Sequence, residues 1–207
     1  MSADLKVYVV DDHEAVRDSL QALLVSVGWD ARTFASGDEF LSAFDPSDQG
    51  CLLLDLRLPD INGIDLQKRL TKQGSKLRTI MISGHGDVPM AVMAMKAGAV
   101  DFIEKPYTDE VILKCVEQNL AQSRHATETA ATAEEILGRI EQLTPREREV
   151  LEALLNGHAN KIIAYQLGIS PRTVEIHRAR VMTKMEAKSL PHLIRMALTA
   201  GVTTGSP

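Results

Sequence analysis

Residues 51–63 read CLLLDLRLPDING. The run Cys51–Leu54 is apolar without alternation, the pattern of a strand buried on both faces, and it ends on a carboxylate, Asp55. A helical pattern follows from about Gly63 to Lys72. Outward from this stretch the same alternation recurs. KVYVV (6–10) precedes a helical pattern over about 14–27, and ARTF (31–34) precedes one near 37–44. RTIMIS (78–83) precedes one over about 88–97, and VDFIEK (100–105) precedes one beginning near Thr108. Five strand–helix units predict an α/β fold, a doubly wound five-stranded parallel sheet with helices on both faces. Charged residues collect where the strands end, at Asp11, Asp12, Asp55 and Lys105. In open parallel sheets those carboxyl ends are where ligands bind.

The chain has 207 residues, enough for two compact domains, and 44% of them are hydrophobic, enough for a core in each. The net charge of −5 is unevenly spread, with an acidic front and a basic rear, which suggests a different partner for each part. Cys51 and Cys115 lie in apolar runs without CxxC spacing, so they read as reduced core thiols. The N-terminus lacks the pattern of a signal peptide, and no apolar run reaches membrane-spanning length. The expectation is therefore a cytoplasmic protein with no membrane partner.

Three parts are expected: a front domain at 1–121, a helical linker at 122–139 and a rear domain at 140–207. The linker region is rich in Ala, Thr, Glu and Gln, with Ile136, Leu137, Ile140 and Leu143 at helical spacing. The rear domain reads as four short helices. Thr144-Pro145 with Glu147 forms a capping-box signature for the first, which runs to about Asn156. The second covers about 159–167 and stops at Gly168; Ser170-Pro171 starts the third, and the fourth follows Ser189.

Asp11, Asp12 and Asp55 close two different strands, so the sheet brings three carboxylates together, and they repel unless neutralised. A hard divalent cation such as Mg²⁺ suits such an oxygen set. Lys105 adds a positive charge and Ser83 a hydroxyl donor, which together match the needs of phosphoryl transfer. A single Asp at a strand end is more often a turn or cap residue; the convergence of these groups is what favours chemistry. Asp11-Asp12, DLRLPDING, Ser83 after an apolar strand and Lys105-Pro106 together resemble the receiver domains of two-component systems, over about residues 4–123. The resemblance implies that Asp55 accepts a phosphoryl group from a kinase histidine. It also implies that Asp12, Asp55 and the backbone carbonyl of Arg57 hold Mg²⁺, with Asp11 acting through water. Lys105 would pair with phosphorylated Asp55 across a cis bond to Pro106, and Ser83 with Phe102 would form the switch pair. The helix and strand within 88–104 would form the dimer face. His13 and His85 are expected to be surface or loop residues.

In SPRTVEIHRARVMTKM (170–185), a count at about 100° per residue places Val174, His177, Val181 and Met185 on one stripe, which should pack inward. The opposite arc holds Arg172, Ile176, Ala179, Arg180 and Thr183, flanked by Glu175 and Lys184. An isoleucine among arginines is odd on a merely solvated face, but in a DNA major groove it can meet a thymine methyl while arginine binds guanine. LTPREREVL, NKIIAYQLGIS, TVEIH and Lys184-Met185 resemble the LuxR-type four-helix DNA-binding domain, with its helix-turn-helix. That resemblance implies base contacts from Glu175, Ile176 and Ala179. It makes Lys161, Arg172, Thr173, Arg178, Arg180 and Lys184 candidates for phosphate contact.

The two parts together resemble the response regulators of the FixJ/NarL family, and within it the FixJ branch. The resemblance implies a transcription activator rather than an enzyme, although the receiver would assist its own phosphorylation and dephosphorylation. Its expected partners are a FixL-like sensor histidine kinase, double-stranded promoter DNA, RNA polymerase and, when phosphorylated, a second copy of the chain. Nitrogen-fixation genes under oxygen control would be the targets. A magnesium-dependent aspartyl phosphatase is the rival reading, but such enzymes usually place an acid two residues after the nucleophile, where this chain has Arg57. A protein-binding adaptor is a second rival, and the outward Arg172, Ile176 and Arg180 argue against it.

Overall fold

The computed structural model describes residues 6–84, 88–124 and 133–202. The chain divides into two compact units, residues 1–86 with 97–128 and residues 87–96 with 129–207. The first holds five strands: β1 (Lys6–Val10), β2 (Ala31–Phe34), β3 (Gln49–Asp55), β4 (Lys76–Ser83) and β5 (Asp101–Glu104). All pair in parallel, in the order β2-β1-β3-β4-β5. Helices α1 (Glu14–Ser26), α2 (Gly37–Ala43), α3 (Gly63–Lys72), α4 (Val88–Lys96) and α5 (Asp109–Arg124) follow the five strands in turn, so the expected doubly wound order is the observed one.

The unbroken apolar runs are buried on both faces, as expected. Val7, Val9, Cys51, Leu53, Ile80 and Ile82 join Leu20 and Leu24 of α1 and Ile112 and Val116 of α5 in one cluster. On the other face Tyr8 meets Phe40 of α2 edge-on, at 5.6 Å between ring centroids. Each such fully buried side chain contributes about 2 kcal/mol by leaving water. Cys51 and Cys115 are both buried free thiols, and burial pushes Cys51 up to about 12.

Strand register is what assembles the ligand end of the sheet. Val10 pairs with Leu54, so the next residues, Asp11 and Asp55, come level on neighbouring strands. Asp55 pairs with Ile82, which places Ser83 one step beyond it, and Ser83 pairs with Glu104, which leaves Lys105 just past β5. The loop after β3 is tight. The Gly63 N–H donates to the Leu56 carbonyl at 2.9 Å, and a Cβ on Gly63 would overlap the carbonyl oxygen of Asp55.

The rear unit contains α6 (Ala133–Glu141), α7 (Pro145–Leu155), α8 (Asn160–Leu167), α9 (Pro171–Lys184) and α10 (Leu190–Thr199). The expected capping box is formed: Thr144 Oγ1 accepts from the Glu147 N–H, and the Glu147 carboxylate accepts from the Thr144 N–H. Gly168 ends α8 with φ +65°, a left-handed turn that glycine adopts without steric cost, and Ser170 caps α9. The span expected as a linker, 122–139, takes in the end of α5 and most of α6, with residues 125–132 outside the described set. Ile136 and Ile140 of α6 are buried.

Among the described residues, no helix is long and apolar enough to cross a membrane.

Candidate phosphoacceptor site and DNA-binding helix

Asp11 and Asp55 are both buried at the carboxyl ends of β1 and β3. Burying two carboxylates side by side is costly unless a cation joins them. Lys105 does so: its Nζ lies 2.8 Å from Asp11 Oδ2 and 2.8 Å from Asp55 Oδ2. Burial works against the ammonium charge, yet the hydrogen bonds to Asp11 and Asp55 hold the lysine above its ordinary pKa. The second oxygen of each acid is held by backbone. Asp11 Oδ1 accepts from the His13 N–H at 2.9 Å, and Asp55 Oδ1 from the Arg57 N–H at 3.2 Å. The Lys105–Pro106 bond is cis, as expected.

Asp12 is exposed, and its carboxylate meets His13 Nδ1 at 2.8 Å. Asp11, Asp12 and His13 offer ligand atoms that all lie within 4.8 Å of one another. Lys105 meets Asp11 and Asp55 while exposed Asp12 stands beside Asp11, and a hard dication fits that excess of negative oxygen. When bound, such an ion neutralises charge on phosphoryl oxygens. His13, expected only as a surface residue, is 71% exposed in its side chain, as expected, and also touches the acidic pair. His85 lies outside the described residues.

Two ties around the site were not foreseen. Arg17 Nη1 donates to the carbonyls of Asp11 and Asp12, at 2.8 and 2.9 Å, and so fixes the backbone of the acidic pair from one turn into α1. Asp60 accepts from the N–H groups of Gly37 and Asp38, at 3.2 and 2.7 Å, and so fastens the β3–α3 loop to the start of α2. Both pairings come from the three-dimensional path of the loops; no spacing in the sequence signals them. Ser83 is buried at the end of β4, and its carbonyl accepts from the Lys105 N–H at 2.7 Å. Phe102 is partly exposed on β5.

In the rear unit the inward stripe of α9 is as expected: Val174, Val181 and Met185 are fully buried, and His177 is partly so. Arg172, Glu175, Ile176, Ala179, Arg180 and Thr183 are exposed, with Ile176 at 48%. Lys161 on α8 is exposed as well, and Thr173 is half-buried.

The receiver-domain family of response regulators matches residues 7–117, and the luxR family of bacterial regulatory proteins matches residues 141–197. The transcriptional regulatory protein FixJ of Azorhizobium caulinodans is 51% identical to this chain, covering 98% of it and 96% of its own length. The chain belongs to the FixJ-type response regulators. FixJ of Rhizobium meliloti is 49% identical, over 96% of this chain and 97% of its own. The crystal structure of full-length FixJ from B. japonicum is similar with a TM-score of 0.57 and 44% identity, covering 98% of this chain and 100% of that one. As a response regulator of this type, the chain is a DNA-binding transcription regulator with a helix-turn-helix.

Within this FixJ-type protein, two of the phosphate candidates have partners inside the domain. Lys184 turns back from the flank of α9 and meets Glu147 at 2.6 Å and the Gln142 carbonyl at 3.1 Å. Arg178 donates to Asn160 Oδ1 on α8 at 2.7 Å. Long side chains can leave the arc on which their Cβ sits, and here each finds a partner inside the domain. Lys184 and Arg178 thus join helices of the domain, and Arg172, Arg180 and Lys161 are the exposed cations among the residues singled out.

Proposed function

We propose that this response regulator accepts a phosphoryl group on Asp55 from a histidine of a FixL-like sensor kinase. The Asp55 carboxylate attacks phosphorus, the P–N bond breaks with its electron pair going to the kinase nitrogen, and the histidine leaves neutral because its other ring nitrogen carries a proton. The observation that supports this reading is the single ammonium of Lys105 bridging buried Asp11 and Asp55 at 2.8 Å each. That arrangement keeps a cation beside the nucleophile before and after its charge increases. Mg²⁺ would be held by Asp12, Asp55 and the Arg57 carbonyl, with Asp11 acting through water. Ser83 would donate to the phosphoryl oxygens, and Phe102 would respond to its movement.

The phosphorylated receiver (1–121) then pairs with a second copy. Two rear domains (140–207), reached through 122–139, bind a two-fold related site in promoter DNA more tightly than one. Lys161, Arg172, Thr173, Arg178, Arg180 and Lys184 supply phosphate or guanine contacts, and Glu175, Ile176 and Ala179 face bases. The protein acts in the cytoplasm, where it recruits RNA polymerase to nitrogen-fixation genes under oxygen control; likeness to regulators named FixJ supports that assignment.

The test is to incubate the protein with Mg²⁺ and acetyl phosphate, then follow intact mass, sedimentation and binding to a duplex pool. One added phosphoryl group, a dimer and enrichment of a symmetric sequence are expected. Labelling without any change in assembly or DNA affinity would overturn the coupling.

A further inference from the structure

The luxR-family match begins at residue 141, which is the last residue of α6. Almost all of α6 thus lies ahead of the family's module, and composition alone assigns it to the linker. Its contacts point elsewhere. Arg139 Nη1 donates to the Met185 carbonyl at 3.2 Å, and Arg139 Nη2 lies 2.8 Å from Glu186 Oε2. In the last turn of α6 the Ile140 carbonyl accepts from Arg148 of α7 at 3.2 Å, and just past the helix the Gln142 carbonyl accepts from Lys184 at 3.1 Å. Beneath these polar ties Ile136 and Ile140 are only 2% and 8% exposed, and α6 lies beside α10.

The position of the clamp on α9 gives it meaning. Met185 is the C-cap of α9, so its carbonyl is one of those a helix leaves without an internal partner, at the negative end of the helix dipole. Arg139 supplies a donor and a positive charge there together. The next residue, Glu186, has φ +54°, a left-handed conformation that non-glycine residues seldom take, and its carboxylate closes on the same guanidinium. The turn that ends α9 is therefore built around Arg139.

We propose that α6 is a working part of the DNA-binding module and that Arg139 is a positioning residue for α9. It fixes the C-terminal end of that helix, and with it the direction in which Arg172, Ile176 and Arg180 are presented. This inference rests on α9 being the helix that reads DNA. A salt bridge to an exposed glutamate contributes little alone; the directional element is the pairing of one planar fork with a carbonyl and a carboxylate, which lysine cannot reproduce.

The experiment uses the full chain and its Arg139→Lys variant, which keeps the charge and loses the fork. Each is titrated with a duplex selected from a random pool by the wild-type protein, and with a scrambled duplex of equal length. Affinity for the selected duplex should fall about threefold to tenfold, while affinity for the scrambled duplex changes less than about twofold. Hydrogen exchange on the wild-type chain needs no variant to fold. The amides of α6 should be protected like those of α7–α10, and in Arg139→Lys the last turn of α9 should lose protection. Equal affinity of variant and wild type for the selected duplex overturns the proposal, as does unprotected exchange of α6 beside a protected α9. Arg180→Ala separates the two ideas. If it leaves binding intact, the reading of α9 fails; if it weakens binding and Arg139→Lys does not, only the clamp fails.

Discussion

Lys105 donates to Asp55 at 2.8 Å across 50 residues of sequence, and the same ammonium reaches Asp11 at 2.8 Å. One cation thus stabilises two buried acids from neighbouring strands, and the parallel register that levels Asp11 with Asp55 makes this possible. The arrangement sets the Lys105 ammonium on one oxygen of Asp55 and the Arg57 N–H on the other.

Asp55→Asn should therefore take up no phosphoryl group from acetyl phosphate in Mg²⁺, and Lys105→Ala should label at least about tenfold more slowly, because a positioned charge beside the reacting oxygens is typically worth that much or more. Intact mass against time measures both. Equal labelling of Asp55→Asn and wild type would place the acceptor elsewhere.

Gly63 lies where the β3–α3 loop folds back on its own strand, and a Cβ there would overlap the Asp55 carbonyl oxygen and stand 3.0 Å from Leu56 Cα. Both are backbone atoms, so the strain cannot be relieved by rotating a side chain. Gly63→Ala should shift the loop carrying Arg57 and raise the Mg²⁺ concentration needed for half-maximal labelling by several-fold, while α7–α10 keep their hydrogen-exchange protection. A variant with the wild-type Mg²⁺ dependence would show that the loop tolerates the shift.

Glu147 is buried, accepts from Lys184 at 2.6 Å, and closes the capping box at the start of α7. The hydrogen bond from Lys184 leads, with that from the Thr144 backbone, in lowering its pKa from 4.5 to about 2. A carboxylate depressed in the fold contributes stability above its unfolded pKa and loses it as pH falls toward the folded value. The rear unit should accordingly lose stability between about pH 4.5 and pH 2. Glu147→Gln should cost about 1 to 3 kcal/mol at neutral pH through the loss of charge-assisted bonds, and the gap to wild type should close as the pH nears 2. Denaturation followed by exchange of α7 amides at several pH values gives the comparison, and a pH-independent gap would count against the ion pair.

Much of this was legible in the chain itself. A strand covered on both faces has no polar side to show, so CLLLD, VYVV and TIMI stand out as unbroken apolar runs, and the polar residues that end them, Asp55, Asp11 and Ser83, can only lie at one edge of the sheet. The capped starts at Thr144 and Ser170 were equally plain, since proline at the first helical position leaves few other readings. Pairings made by long side chains were not. A helical wheel gives the direction of the Cβ atom of Lys184 but not the path of its stem to Glu147. Nor does it reveal that Arg17 reaches back to the Asp11 and Asp12 carbonyls. Ala- and Glu-rich composition made α6 look like a spacer, because two buried isoleucines are too few to distinguish a packed helix from a tether.

Arg180 stands exposed on the same arc of α9 as Arg172 and Ile176, and no salt bridge within the domain engages it among the described residues. An arginine so placed has two ways to serve. Bound to guanine in the major groove, its loss as Arg180→Ala costs about 1 to 3 kcal/mol on the selected duplex and relaxes preference at one base position. Bound to phosphate, its loss weakens every duplex alike and lowers the slope of log affinity against log salt by about 1. Titrations of selected and scrambled duplexes at several salt concentrations separate these outcomes, while phosphoryl uptake at Asp55 should be unaltered in either. Affinity equal to wild type on both duplexes at every salt concentration would remove α9 from the DNA interface.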